Sequence, residues 1–203
     1  MATIALYGAT GTIGSRVVDE ALRRGHTVTA VLRDPAKLER TDVVKLEGDV
    51  ANPDAEQLRG HDVVVSSVNG DVALAARELV GALRTLDVTP RLVVVNGAGS
   101  LETAPGVAVW DAPGLPDWLL AIMHSHGDAL DYLNTVDDVP WTAFSPAGTI
   151  EPGERTGEYR LGGDQLVVDA EGKSWISAED YAVALVDEIE NPKHIGRRFT
   201  AAR

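Results

Sequence analysis

The stretch Ile4-Ala5-Leu6-Tyr7-Gly8-Ala9-Thr10-Gly11-Thr12-Ile13-Gly14 decides how this chain folds. Its first four residues are a short apolar run of strand type. Three glycines, at 8, 11 and 14, follow at once. A helical pattern opens on them, with Ile13, Val17, Val18, Ala21 and Leu22 on one face and a stop at Gly25. A β-branched run, Thr27-Val28-Thr29-Ala30-Val31, then leads into Leu32-Arg33-Asp34. Strand, glycine turn, helix and strand make one βαβ unit, with the turn where a dinucleotide pyrophosphate sits. The residue types suit that task. Gly8 turns the chain off the strand, Gly11 lets the backbone approach a phosphate, and Gly14 lets the helix lie near the sheet. The unsatisfied N–H groups and positive dipole end of the helix face the anion. Gly8, Thr10, Gly11, Thr12, Ile13 and Gly14 are therefore the candidate phosphate cradle. The alternative is a tight turn that holds no ligand.

The end of the second strand refines the ligand. An acidic residue there hydrogen-bonds the 2′-hydroxyl of NAD, whereas an arginine accommodates the 2′-phosphate of NADP. Arg33 takes the position nearest the strand end, and Asp34 is expected to turn away and cap a short Pro35–Leu38 helix. NADPH is thus favoured over NADH. The alternative is a loop cation, Arg33, paired with Asp34.

Farther along, Val43–Leu46 reads as a third strand. Past it, Asp49 could accept from the adenine amino group with Val50 against the ring; a plain aspartate turn is the competing reading. Asn52-Pro53-Asp54 opens a short helix. Residues 62–67 form a fourth strand, apolar on both faces and ending in Ser66 and Ser67. Asp71 caps a helix carrying Val72, Ala75, Ala76, Leu79, Val80 and Leu83 at core spacing, and Arg91–Val95 is the fifth strand. The stretch 96–118 has no period and holds Trp110 and Trp118, which suggests a binding loop. A helix over 116–135 and a sixth strand over 140–145 follow, the strand broken at Pro146. Short extended segments at 158–161, 165–168 and 174–176 precede a helix capped by Ser177, and Arg198–Thr200 is the last strand. Strands that alternate with helices, each strand a continuous apolar run, predict an α/β, doubly wound parallel sheet. One domain over 1–203 is expected, with 146–176 as a small substrate-side lobe. Ligands in such sheets lie beyond the carboxyl ends of the strands. That rule adds Ser66, Ser67 and Pro146 to the candidate cofactor contacts.

Bulk properties narrow the partners. The net charge is −13, which argues against binding to nucleic acid or an anionic membrane surface. The chain has no cysteine, so disulfides, thiolate zinc sites and a cysteine nucleophile are excluded. His124 and His126 stand about 200° apart on a helix and cannot converge on one ion, so no metal site is expected. No apolar stretch is long enough to span a membrane. The first strand runs straight into the glycine turn, which leaves no secretory signal, and a cytoplasmic location is expected.

By its co-linear pieces the chain resembles the atypical short-chain dehydrogenase/reductase superfamily, and within it the flavin reductase/biliverdin-IXβ reductase group. The matching pieces are GATGTIG at 8–14, VLRDPAKL at 31–38, GDV at 48–50, VVVNGAGSLE at 93–102, WTAFSPAGTIEPGERTGEYR at 141–160 and ISAEDYAVALVDEIE at 176–190. The resemblance implies a Rossmann sheet with a small C-terminal lobe and NAD(P)H-dependent reduction. Typical members carry a Tyr-x-x-x-Lys pair. Four residues after Tyr7, Tyr132, Tyr159 and Tyr181 stand Gly11, Val136, Gly163 and Leu185, so the pair is missing here. Its two positions fall near Ile122 and His126. The serine that the reductase group carries after the fifth strand falls on Ser100, while its histidine after the sixth strand falls at Ala147–Gly148 and is lost. Ser100 and His126 are the candidate catalytic residues; a loop-capping serine and a helix-surface histidine are the competing readings.

The expected activity is reduction of a small conjugated acceptor, a flavin or quinone, by NADPH. A non-catalytic dinucleotide sensor that docks on a partner protein is the alternative, and an isomerase or epimerase of a nucleotide sugar is a third. Nothing resembles the dimerising helices of typical superfamily members, which allows a monomer.

Overall fold

The computed structural model describes residues Met1–Arg203. The opening unit is β1 (Thr3–Tyr7), α1 (Thr12–Arg23) and β2 (Thr27–Leu32). Then come β3 (Val44–Glu47), α2 (Ala55–Leu58), β4 (Val63–Ser66), α3 (Val72–Leu83) and β5 (Arg91–Val95). A small hairpin, β6 (Glu102–Ala104) and β7 (Val107–Ala108), precedes α4 (Asp117–Leu133) and β8 (Trp141–Ser145). The C-terminal part adds β9 (Thr149–Glu151), β10 (Arg160–Gly162), β11 (Trp175–Ser177), α5 (Ala178–Glu190) and β12 (Arg197–Ala202).

The central sheet has the order β10-β12-β8-β5-β4-β1-β2-β3. Its pairings are parallel except for β10 on β12. Continuous Val, Ile, Leu and Ala runs bury both faces, as a parallel sheet between two helix layers requires. One core joins the sheet to α1 and α5 through Val17, Val18, Ala21, Tyr181, Leu185 and Phe199. The other joins it to α3 and α4 through Tyr7, Ala76, Leu79, Leu130, Leu133 and Trp141. Parallel crossovers bring the carboxyl ends of the parallel strands to one edge. There Tyr7 pairs with both Val31 and Ser66.

Several segments differ from the sequence-based expectation. The stretch 96–118 contains β6 and β7, whose three and two residues are too short for any period to show. β9 pairs with β11 outside the main sheet and was not foreseen. Residues 165–168 form no strand; a single bridge between Glu102 and Gln165 holds them. The last strand is longer than the Arg198–Thr200 core, because Ala201 and Ala202 are fully buried yet carry little strand propensity. No helix is long and apolar enough to cross a membrane.

Candidate active site

A cleft of about 430 Å³ opens at the carboxyl ends of β1 to β4. Its floor is the turn from β1 into α1. Gly8 has φ +85°, and a Cβ there would lie 2.0 Å from the Ser67 carbonyl oxygen, so only glycine can make this turn. At Gly14 a Cβ would lie 2.1 Å from the Gly8 carbonyl oxygen. Gly14 therefore accommodates the turn itself rather than the sheet, a correction to its expected role. The Gly11 amide donates to the Gly8 carbonyl at 3.0 Å and closes the turn. Gly11 is also the N-cap of α1, with no capping side chain and no acidic residue in the first turn. The amides of Thr12, Ile13 and Gly14 are thus left without intrahelical acceptors, and the positive dipole end is uncompensated. Thr10 and Ser67 stand on the wall of the cleft.

Arg33 lies just past β2, exposed and lining the cleft. Asp34 does turn away: its carboxylate accepts from the Ala36 amide at 3.1 Å and caps the turn at Pro35–Lys37. The guanidinium of Arg33 takes part in no ion pair with it. Asp49 and Val50 line the same cleft. One Asp49 oxygen is occupied by the Ala51 amide at 3.0 Å, and the other has no protein partner. Gly48 leaves room here, since a Cβ would lie 2.7 Å from a Val31 methyl.

Two buried hydroxyls at the ends of β1 and β4 have no hydrogen-bond partner, those of Tyr7, which lines the cleft, and Ser66. They are cross-strand neighbours on the α3/α4 face. Burial, with Asp54 and Asp49 nearby, pushes the Tyr7 phenol up to about 12; it stays protonated and can only serve as a neutral hydroxyl. Sequence reasoning missed Tyr7, although its place as the last residue before Gly8 was a usable signal. Buried unsatisfied polar atoms are uncommon in folded proteins. Together with the free helix amides and a tight turn that requires glycine at 8 and 14, they fit a dinucleotide.

Farther along the edge, Asn96 follows β5 and is buried. Its side-chain oxygen lies 3.2 Å from Nδ1 of His126, and its amide nitrogen has no partner. Ser145, at the end of β8, also has an unpaired hydroxyl. The strand registers put Asn96 and Ser145 on the same face as Tyr7 and Ser66. His126 lies against Gly97, where a Cβ would meet its ring at 2.9 Å. Burial lowers its pKa, so the imidazole is neutral at neutral pH. Ser100 accepts a hydrogen bond from Arg198 at 2.7 Å. Pro146 is buried, and its carbonyl accepts from Thr200 at 3.2 Å. Thr12, Ile13, Gly14, Ser66, Ser100, His126 and Pro146 lie outside the wall of this cleft. Trp110 packs over Gly127, where a Cβ would lie 2.7 Å from its ring, and on His124 with ring centres 4.8 Å apart. His124 and His126 therefore face different neighbours. Trp118 and Ile122 are solvent-exposed on the first turns of α4.

Comparison with known proteins agrees with this geometry. Residues 8–192 match the family model described as NAD(P)H-binding. The uncharacterized protein YwnB of Bacillus subtilis is 40% identical over 97% of this chain and 96% of its own length. The crystal structure of a candidate epimerase from Bacteroides thetaiotaomicron superposes with a TM-score of 0.92 at 38% identity, covering 99% of this chain and 96% of that one. The structure of a candidate NADH-flavin reductase from Streptococcus pneumoniae gives 0.90 at 31% identity, with both chains fully covered. The chain belongs to the NAD(P)H-binding family and is an atypical member of the short-chain dehydrogenase/reductases.

Proposed function

We propose that this chain is an NADPH-dependent reductase of a small conjugated acceptor, such as a flavin or a quinone. The observation that carries the reading is the unpaired Arg33 guanidinium on the wall of a cleft also lined by Gly8, Thr10 and Gly11, the turn that leads into the uncapped first turn of α1. When bound, reduced nicotinamide supplies the hydride. The chain's own part is positional. The first-turn amides receive the diphosphate, Arg33 receives the 2′-phosphate, and Asp49 and Val50 border the adenine side. The streptococcal relative's name specifies NADH; Arg33 is the reason for preferring NADPH here.

No tyrosine–lysine pair is available to deliver a proton, and His126 is kept neutral by burial. Those features favour conjugated acceptors, whose reduction leaves a delocalised product that water can protonate. They disfavour the epimerase chemistry in the Bacteroides protein's name. In this reading the protein is a monomer acting on a small molecule where the cell keeps its NADPH, in the cytoplasm.

Titration with NADPH and NADH, followed by assays with FMN, quinones and dichlorophenolindophenol, tests it. NADPH should bind more tightly and be oxidised by at least one acceptor. Tight binding without turnover by any acceptor would instead support the dinucleotide sensor, a reading favoured by the missing tyrosine–lysine pair. In that case a partner protein should bind in a dinucleotide-dependent way.

A further inference from the structure

Ser100 is not a free loop hydroxyl. Arg198, on β12 and only 9% exposed, reaches it across 98 positions of sequence. The guanidinium is fixed first by Asp164, whose Oδ1 accepts from Nε at 3.0 Å and from Nη2 at 2.7 Å. Its remaining nitrogen, Nη1, donates to the Ser100 oxygen at 2.7 Å. Asp164 is itself held in place. Its carbonyl accepts from the Glu102 amide at 2.8 Å, and the Glu102 carbonyl accepts from Leu166 at 2.9 Å. The strap carrying Asp164 is thus fastened to the loop that carries Ser100.

This arrangement biases the serine toward donation. One lone pair of its oxygen is engaged by a charged donor, and its O–H has no acceptor within the protein. A hydrogen bond from a cation also polarises that O–H and makes it a stronger donor. Ser100 is half-buried, hence reachable, and it follows β5 on the edge shared with the cofactor cleft. A polarised hydroxyl with a free O–H is suited to a developing negative oxygen.

We propose that Arg198 is a positioning residue that acts through Ser100 to hold an oxyanion, and that the acceptor is one whose conjugated carbonyl oxygen takes up the charge. This rests on the reductase reading above. The hydride from NADPH adds to the acceptor, and the π pair of its conjugated carbonyl moves onto oxygen. Ser100 donates to that oxygen, and water protonates the product once it leaves; NADP⁺ is the other product. Quinones and the flavin ring carry such a carbonyl; an isolated alkene does not.

The test uses the full chain, with and without NADP⁺, and 4-nitrophenol as probe, because its phenolate mimics the oxyanion and absorbs in the visible. Wild type should bind the phenolate about tenfold more tightly than the neutral phenol, seen as a lowered phenol pKa on the protein. Arg198→Met and Ser100→Ala should each abolish that preference, and the double variant should lose no more than either alone. Arg198→Lys, which keeps the charge without the fork, should retain part of it. Thermal melting checks folding; if Arg198→Met does not fold, Ser100→Ala and Arg198→Lys decide. Three results would overturn the proposal: no phenolate preference in wild type, a folded Arg198→Met protein that keeps it, or losses that multiply in the double variant. The last would make Arg198 a strut for the strap with no route through Ser100. Failure of the reductase reading is seen separately, as wild type that oxidises no NADPH with any acceptor.

Discussion

At the β1–β2 end of the carboxyl edge the site is made of backbone. At Gly8 and Gly14 any Cβ would clash with backbone, and the amides of Thr12 to Gly14 have no intrahelical acceptor and no capping side chain. At the β5–β8 end it is made of side chains that reach across the fold: Arg198 to Ser100 and Asp164, Asn96 to His126, and Trp110 onto Gly127. A backbone site depends on conformations that few residues allow, so it is all-or-none and recurs wherever a dinucleotide is bound. A side-chain site can be altered one contact at a time. The names of the similar structures range accordingly from epimerase to NADH-flavin reductase on one fold.

The harshest way to test this contrast is Gly14→Ala. The added methyl would overlap the Gly8 carbonyl at 2.1 Å, against backbone that cannot swing aside. Overpacking of this kind costs about 3 kcal/mol, so affinity for NADPH should drop about a hundredfold. Equilibrium titration of a folded variant reads it directly. Unchanged affinity would mean that the turn is softer than its geometry indicates.

A second test addresses the seam between the two halves. Glu20 on α1 is buried and receives Arg23, Arg24 and, from the segment between β9 and β10, Arg155. Burial alone would raise its carboxyl pKa. Hydrogen bonds from Arg155, Arg23 and Arg24 outweigh that and hold it far below the ordinary glutamate value. Glu20→Gln should cost about 2 kcal/mol at neutral pH, less than a fully buried pair because Arg23 and Arg155 are partly solvated. A carboxyl with a depressed folded pKa gives stability above its unfolded value of 4.5, and loses it as pH falls below that. Urea unfolding should therefore show the gap between wild type and variant closing from about pH 5 downward. A gap that stays constant through that range would show that the charge of Glu20 is not what matters.

Arg33→Ser sharpens the comparison within the backbone half, because Arg33 is the side chain there to which the proposed function gives the choice between cofactors. NADPH affinity should fall about tenfold, the worth of one charge-assisted hydrogen bond, with NADH affinity unchanged. Equal losses for both cofactors would assign Arg33 to the diphosphate instead.

Legibility in the sequence followed the same division. The cradle at 8–14, the arginine at 33 and the turn of Asp34 into a cap could be read from local spacing, because each is fixed by neighbours a few residues away. The parallel sheet was legible for a related reason: strands buried on both faces are continuous apolar runs. Arg198 gave no such signal, since its meaning comes from Ser100 and Asp164, 98 and 34 positions distant. Asn96 stood in view at the end of β5, yet only the folded chain shows that it meets His126 and leaves an amide unpaired. The hairpin of β6 and β7 was hidden because two or three residues cannot establish an alternation.

The smallest expected effect is at His126, and it separates positioning from proton delivery. An imidazole that delivers a proton during turnover must be charged when the acceptor is reduced, and the rate would then climb toward acid as the ring is protonated. Burial moves this ring the other way, below its usual 6.5, and its Nδ1 is already engaged with Asn96. The neutral ring should therefore leave the rate of NADPH oxidation flat between about pH 6.5 and 8. His126→Gln, which keeps a polar group of similar reach beside Gly97 and Asn96, should change the rate less than about threefold. An acid-side rise that vanishes in His126→Gln would restore the histidine as the acid. In that event the β5–β8 half would contain a proton donor of its own, and water would not be the source.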